Sequence, residues 1–232
     1  LKVQESYPAA TNDKQAKSHL VLGWLLGHST NLKQQMRANL LSRVLLDNSA
    51  SPLRKELETC GVGTGPSALC GLEDSNKEMT FVCGLEGAKA TDADAFETLV
   101  LACLQKVSDT GVPQSEIEAA LHQLELGQRE IGGDGYPFGM QLILSALPAA
   151  IHGGDALAAL NLDPVLLELA EDIKDRNFIP GLIKDLLINN SHQVRLTLVP
   201  DQLMSAKRDA AEKQRLSDML IAMDAQQRQV VI

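Results

Sequence analysis

Short apolar runs alternate along this chain with longer stretches of helical period. Ser18–Gly27, SHLVLGWLLG, is continuously apolar and too short for a buried helix, so it predicts a strand covered on both faces. From Asn31, Leu32, Met36, Leu40 and Val44 fall on one helical stripe. Next comes NSASPLRKELETCGVGTGP. Here Ser51 and Pro52 start a short helix, Leu53, Leu57 and Cys60 form its apolar stripe, and Gly61 stops it. A serine cap of this kind contributes about 1 kcal/mol. Ala68–Glu73 and Met79–Gly87 predict an antiparallel hairpin across the turn-forming EDSNKE. In the second strand Met79, Phe81, Cys83 and Leu85 alternate at period two.

Helices dominate the middle. Thr91, with Asp94 three residues on, predicts a capped helix to about Ser108, and Ser115 with Glu118 repeats that signature. Ile117, Leu121, Leu124 and Ile131 form the stripe of this second helix, which GGDGYP at Gly132–Pro137 breaks. Further helices are predicted over 138–152, 164–176 and 179–189. HQVRLTLVP then alternates, predicting a strand with Val194, Leu196 and Leu198 inward and Arg195 and Thr197 outward. From Asp201 to Gln227 the chain has no Gly or Pro and few apolar residues (Leu203, Leu216, Leu220, Met223). This predicts an exposed helix, or the first arm of a helical hairpin. The whole order predicts an α+β fold with helices on a largely antiparallel sheet.

Composition narrows the chemistry. At 232 residues, 44% hydrophobic and 22% charged, the chain is long enough for a substantial core, and only 3% aromatic residues leave that core to aliphatic side chains. A net charge of −9 argues against nucleic acid and against anionic lipid as partners. No apolar run is long enough to span a bilayer, and no signal peptide is visible. The four cysteines, Cys60, Cys70, Cys83 and Cys103, match no CxxC spacing and read as buried free thiols in a reducing compartment. Asn189-Asn190-Ser191 matches a glycosylation sequon, a pattern common by chance. The chain opens on Leu1 and closes on QQRQVVI after a helical pattern, so a fragment of a longer protein is expected.

Candidate catalytic motifs fail one by one. The five histidines include no pair at metal-ligand spacing. His122 and Glu125, in HQLEL, match two positions of the inverted zinc motif HxxEH, but Leu126 stands where the second histidine is needed. CGVGTGPS follows a helix instead of opening one, so it suits a helix stop and turn better than a phosphate cradle. Glu125 and Arg129 read as an ordinary i,i+4 surface pair, and RDAAEKQR as a solvated helix face. No GxSxG elbow is present. No catalytic, cofactor-binding or metal-ligating residue is assigned.

Five segments, in order, resemble the pitrilysin, or insulinase-like, zinc metallopeptidases, and among them the presequence-protease type. They are LLSRVLLDNSASPLRKELETCGVG, FVCGLEGA, GVPQSEIEAALHQLELGQRE, LLINNSHQVRLTLVPD and the trailing helix. The resemblance implies a pitrilysin-type domain, the second and non-catalytic one of four. It implies a lead-in over 1–17, the domain over 18–200, and the start of a helical hairpin linker over 201–232. Zinc and HxxEH would lie in the first domain, outside this chain, and the chain alone would be inactive. The longer protein would be a zinc endopeptidase degrading unfolded peptides, in the cytoplasm or in an organelle such as a mitochondrion or plastid. This domain would form part of the peptide chamber wall, pack on the catalytic domain and anchor the hinge. The alternative is a proteolytically inactive scaffold subunit reusing the fold.

Overall fold

A computed structural model describes residues 1–9, 17–129 and 137–224. Its centre is one six-stranded sheet. The strands are β1 (Lys2–Pro8), β2 (Ser18–His28), β3 (Gly65–Pro66), β4 (Gly71–Glu73), β5 (Glu78–Ala88) and β6 (Gln193–Asp201). They run in the order β1-β6-β2-β5-β3, with β4 also on β5. The β1–β6 pair is parallel and every other pair is antiparallel. The helices are α1 (Leu32–Leu46), α2 (Pro52–Thr59), α3 (Ala93–Thr110), α4 (Gln114–Arg129), α5 (Phe138–Ile151), α6 (Asp163–Asp172), α7 (Phe178–Ile183) and α8 (Met204–Ala222). The fold is α+β, as the alternation of elements predicts.

The core lies on one side of the sheet. Leu20, Leu22 and Trp24 of β2 and Phe81, Cys83 and Leu85 of β5 pack there against α1, α2, α3, α4, α6 and α7. The α1 stripe buries Met36, Leu40 and Val44, and Asn31 caps the helix by accepting from the Gln34 N–H at 3.1 Å. Glycine is required where β5 crosses β2: a Cβ on Gly84 would meet the Leu20 carbonyl oxygen at 2.7 Å.

Several local expectations change. Lys2–Pro8, within the polar stretch read as an extended lead-in, forms edge strand β1, paired along its length with β6, and an edge strand exposed to water has no need of apolar alternation. The first arm of the hairpin, expected over Ala68–Glu73, is confined to β4; a turn at Ser67–Cys70 precedes it, and the short β3 lies before that turn. Three serine or threonine caps do not operate as such. Ser51 has the extended backbone of a cap, but its hydroxyl turns back to the Arg43 carbonyl at 3.5 Å. Thr91 lies inside a 3-10 turn, so α3 starts without a side-chain cap. Ser115 lies in the first turn of α4, whose start is set by the Pro113 carbonyl accepting from Glu116 and Ile117. Helix 179–189 is α7 continued by a π-turn at Lys184–Ile188. Ile131, GGDGY and the side chain of Arg129 lie outside the described residues.

The short helix α2 therefore rests on its buried stripe and on Pro52, with Gly61 at φ 70° supplying its left-handed exit. Leu53 is 0% exposed. Leu53→Ala should lower stability by about 2–5 kcal/mol, while Ser51→Ala should cost less than about 1 kcal/mol because no cap bond is lost. Urea unfolding of both variants checks the order. A larger loss for Ser51→Ala would restore the capping role.

Candidate functional site: the open face of the sheet

The alternation of β6 is present, but its faces are the reverse of those expected. Thr197 pairs with Leu20 and Arg195 with Leu22, so both lie on the helix side. Leu196 pairs with Val21 and Val194 with Gly23, so both lie on the other. Thr197 is 5% exposed and Val194 is 37% exposed. The apolar half of β6 therefore faces away from the core.

This places an aliphatic floor on the open side of the sheet. Val21 and Gly23 of β2, Val82 of β5, and Val194 and Leu196 of β6 line a trough of about 890 Å³, with Leu69 among its exposed walls. Gly23 leaves the middle of the floor open, with Val194 and Val82 beside the place a Cβ would take. Glu73 also lines the trough. The Ser75 hydroxyl and amide both donate to its carboxylate and hold it below the usual carboxylate range, so it is ionised at neutral pH.

The helix side of β6 carries the charge. Arg195 Nη1 lies 2.8 Å from Glu97 Oε2 and also bonds Asp94, both at the start of α3. Lys2 of β1 adds contacts of 3.1 Å to each carboxylate. This network ties β1 and β6 to α3. Hydrogen bonds from Arg195, then Lys2, lower the Asp94 pKa, and the same bonds raise those of Arg195 and Lys2. The entry to β6 is tied separately: the Asn190 amide donates to the Leu25 and Leu186 carbonyls at 2.9 and 3.0 Å. Asn190 belongs to the sequence segment NNSH, whose role as a lock on β2 alternation alone does not reveal.

The motifs weighed for chemistry do not converge. His122 Nδ1 is 3.8 Å from Glu125 Oε2 on the outer face of α4, with apolar Leu126 next in line, so these residues do not fit a zinc ion. Among the described residues no group of three His, Cys, Asp or Glu side chains could hold a metal. All four cysteines are free; Cys83 and Cys103 are buried, and Cys60 and Cys70 are half-buried. Burial raises the thiol pKa at Cys70, at Cys83 well above its ordinary value, and at Cys103 to about 11. No helix among the described residues is long and apolar enough to cross a membrane.

A one-sided, largely antiparallel sheet backed by helices defines a structural class that comparison makes specific. Residues 2–124 match the peptidase M16 inactive domain family, and the chain belongs to that family. Among its relatives, presequence protease 1 of Arabidopsis thaliana, chloroplastic/mitochondrial, is 29% identical over 96% of this chain and 21% of its own length. The mitochondrial presequence protease of Danio rerio is 23% identical over 95% of this chain and 21% of its own. The chain thus spans about a fifth of the length of the curated relatives it matches. The fold recurs in a peptidase M16 inactive domain from Pseudomonas fluorescens, with TM-score 0.57 and 14% identity over 86% of this chain and 43% of that one. It recurs also in an inactive peptidase domain from Bordetella parapertussis, with TM-score 0.59 and 15% identity over 80% and 92% of the two chains.

Two outcomes test the electrostatic and thiol readings. Arg195→Met should lower the melting temperature by about 2–4 °C. Because the folded Asp94 pKa is depressed, its stabilisation is present above the unfolded value near ~3.9 and is lost as pH falls through the lower folded value. The Arg195→Met penalty should therefore shrink in melts run below about pH 4 and persist at pH 7. Native Cys103 should resist alkylation at pH 8, where a thiol of pKa about 11 is about one part in a thousand thiolate; mass spectrometry after iodoacetamide treatment reads this directly.

Proposed function

We propose that this chain is the non-catalytic domain of a zinc-dependent endopeptidase acting on unfolded peptides, and that its open sheet face forms part of the peptide chamber wall. The supporting observation is the reversed β6, which turns Val194 and Leu196 toward the trough and leaves Arg195 to bind α3. A domain selected only for packing would have little reason to keep an aliphatic trough in water. An unfolded peptide can lay apolar side chains on such a floor without regard to exact sequence, because the hydrophobic effect is non-directional. Ionised Glu73 favours a cationic side chain beside that apolar segment.

Zinc and the water-activating glutamate would be supplied by a catalytic M16 domain of the same polypeptide. This chain's own contribution would be to hold substrate and to exclude water from beside it. The exposed helix α8, with its sparse stripe at Leu216, Leu220 and Met223, would begin the hairpin that joins the two halves of the enzyme. The names of the relatives, chloroplastic/mitochondrial and mitochondrial, support an organellar setting such as the mitochondrion or plastid over the cytoplasm.

In the full polypeptide carrying this domain, Val194→Glu should raise KM for an extended apolar peptide about tenfold and change kcat by less than about twofold, the signature of lost uniform binding. An unchanged KM would remove the trough from the peptide path. A polypeptide without HxxEH, folded but hydrolysing no peptide, would turn the reading to a scaffold of this fold.

A further inference from the structure

Helix α5 departs from the pattern of the helices that build the core. α1, α3, α4, α6 and α7 bury apolar stripes against the sheet or one another, whereas the buried residue of α5 is Ala149. Its large apolar side chains stand in water. Met140, Leu144, Leu147 and Ile151 are 46%, 46%, 43% and 64% exposed, and Ile143 beside them is 64% exposed. Their spacing of four, three and four residues is the seam along which one helix packs lengthwise on another. Leu157 and Leu160, in the turn that follows, extend the apolar surface. From Phe138 to Gly154 there is no charged residue, although the chain as a whole carries −9.

A helix that is apolar all round is ordinarily buried. A lipid surface is a poor occupant. Helix α5 spans about 21 Å, short of the hydrocarbon core, and has no flanking Lys or Arg to meet anionic headgroups between Phe138 and Leu162. A charged partner would leave its charges desolvated against a neutral seam. The relatives supply the remaining argument. This chain aligns over 96% of itself with 21% of the Arabidopsis protein, and solved neighbours such as the Pseudomonas fluorescens chain extend to more than twice the part it matches.

We propose that α5 is the seat of an interdomain interface: its seam takes an uncharged, apolar helix face of another M16 domain in the same polypeptide. This rests on the reading of the chain as one domain of an M16 peptidase. The interface would lie on a helix, separate from the trough on the sheet. It would set how the chamber wall is held without touching peptide.

The test compares the full polypeptide with the 232-residue chain. Amide hydrogen exchange over 138–151 is expected to slow at least tenfold in the polypeptide. Ile143→Glu with Leu147→Glu is expected to lower the melting temperature of the polypeptide by about 5 °C or more and that of the 232-residue chain by less than about 1 °C. Equal exchange in both, or an equal effect of the substitutions in both, would overturn the interface. So would a concentration-dependent dimer of the 232-residue chain that the substitutions abolish, since it would assign the seam to a second copy. An active peptidase with unprotected α5 would sink the interface alone. A protected α5 in a polypeptide that hydrolyses no peptide would sink the peptidase reading alone.

Discussion

Strand β2 is hydrogen-bonded along both edges, to β5 on one side and β6 on the other, and the placement of the remaining elements follows from it. Leu20, Leu22 and Trp24 are 0–1% exposed and form the floor on which the helices settle. Because side chains alternate strictly on a strand, committing these three to the core commits Val21 and Gly23 to the opposite face. The register then carries that choice outward. Any residue paired with Leu20 or Leu22 goes to the helices, and any residue paired with Val21 or Gly23 goes to the open side.

The trough and the ion-pair network are two consequences of that single register. On β6 it sends Arg195 inward, where a lone guanidinium would be costly, and the first turns of α3 answer with Asp94 and Glu97. The same register sends Val194 and Leu196 outward, where they join Val21 and Val82 in an apolar floor. Lys2 then fastens β1 to the same carboxylates, so the parallel edge strand is held by charge as well as by its ladder. Large apolar side chains are left exposed on the open sheet face, on α5 and on α8. The chain itself belongs to the M16 inactive domain family and spans about a fifth of its relatives' length.

Much of this architecture is legible along the chain, because periodicity is local. The stripe of α1, the Ile117, Leu121 and Leu124 part of that of α4, the alternation of β5 and the short helix opening on Pro52 all lie where their patterns place them. Helix starts are read less well. Ser51, Thr91 and Ser115 each carry the chemistry of a cap, yet their hydroxyls or positions are taken over by Arg43, a 3-10 turn and Pro113. A short hydroxyl competes among several nearby backbone groups, and sequence spacing does not rank them. Strand β1 was hidden for another reason: an exposed edge strand needs only a partner, and that partner lies more than 190 residues away.

By itself the sequence determined which residues alternate and which form helical stripes. The order of its segments also pointed to the family. Only the tertiary structure decided which face of β6 meets the core. Period two is unchanged when a strand is turned over, so VRLTL fits either face equally until it pairs with a strand whose faces are already committed. Pairing Thr197 with Leu20 settled it, at the cost of burying a threonine, drawing the Arg195 side chain down to 12% exposure and leaving Val194 in water. The arginine is compensated by Asp94 and Glu97, which lie about a hundred residues earlier on another element, a contact that only folding brings within reach.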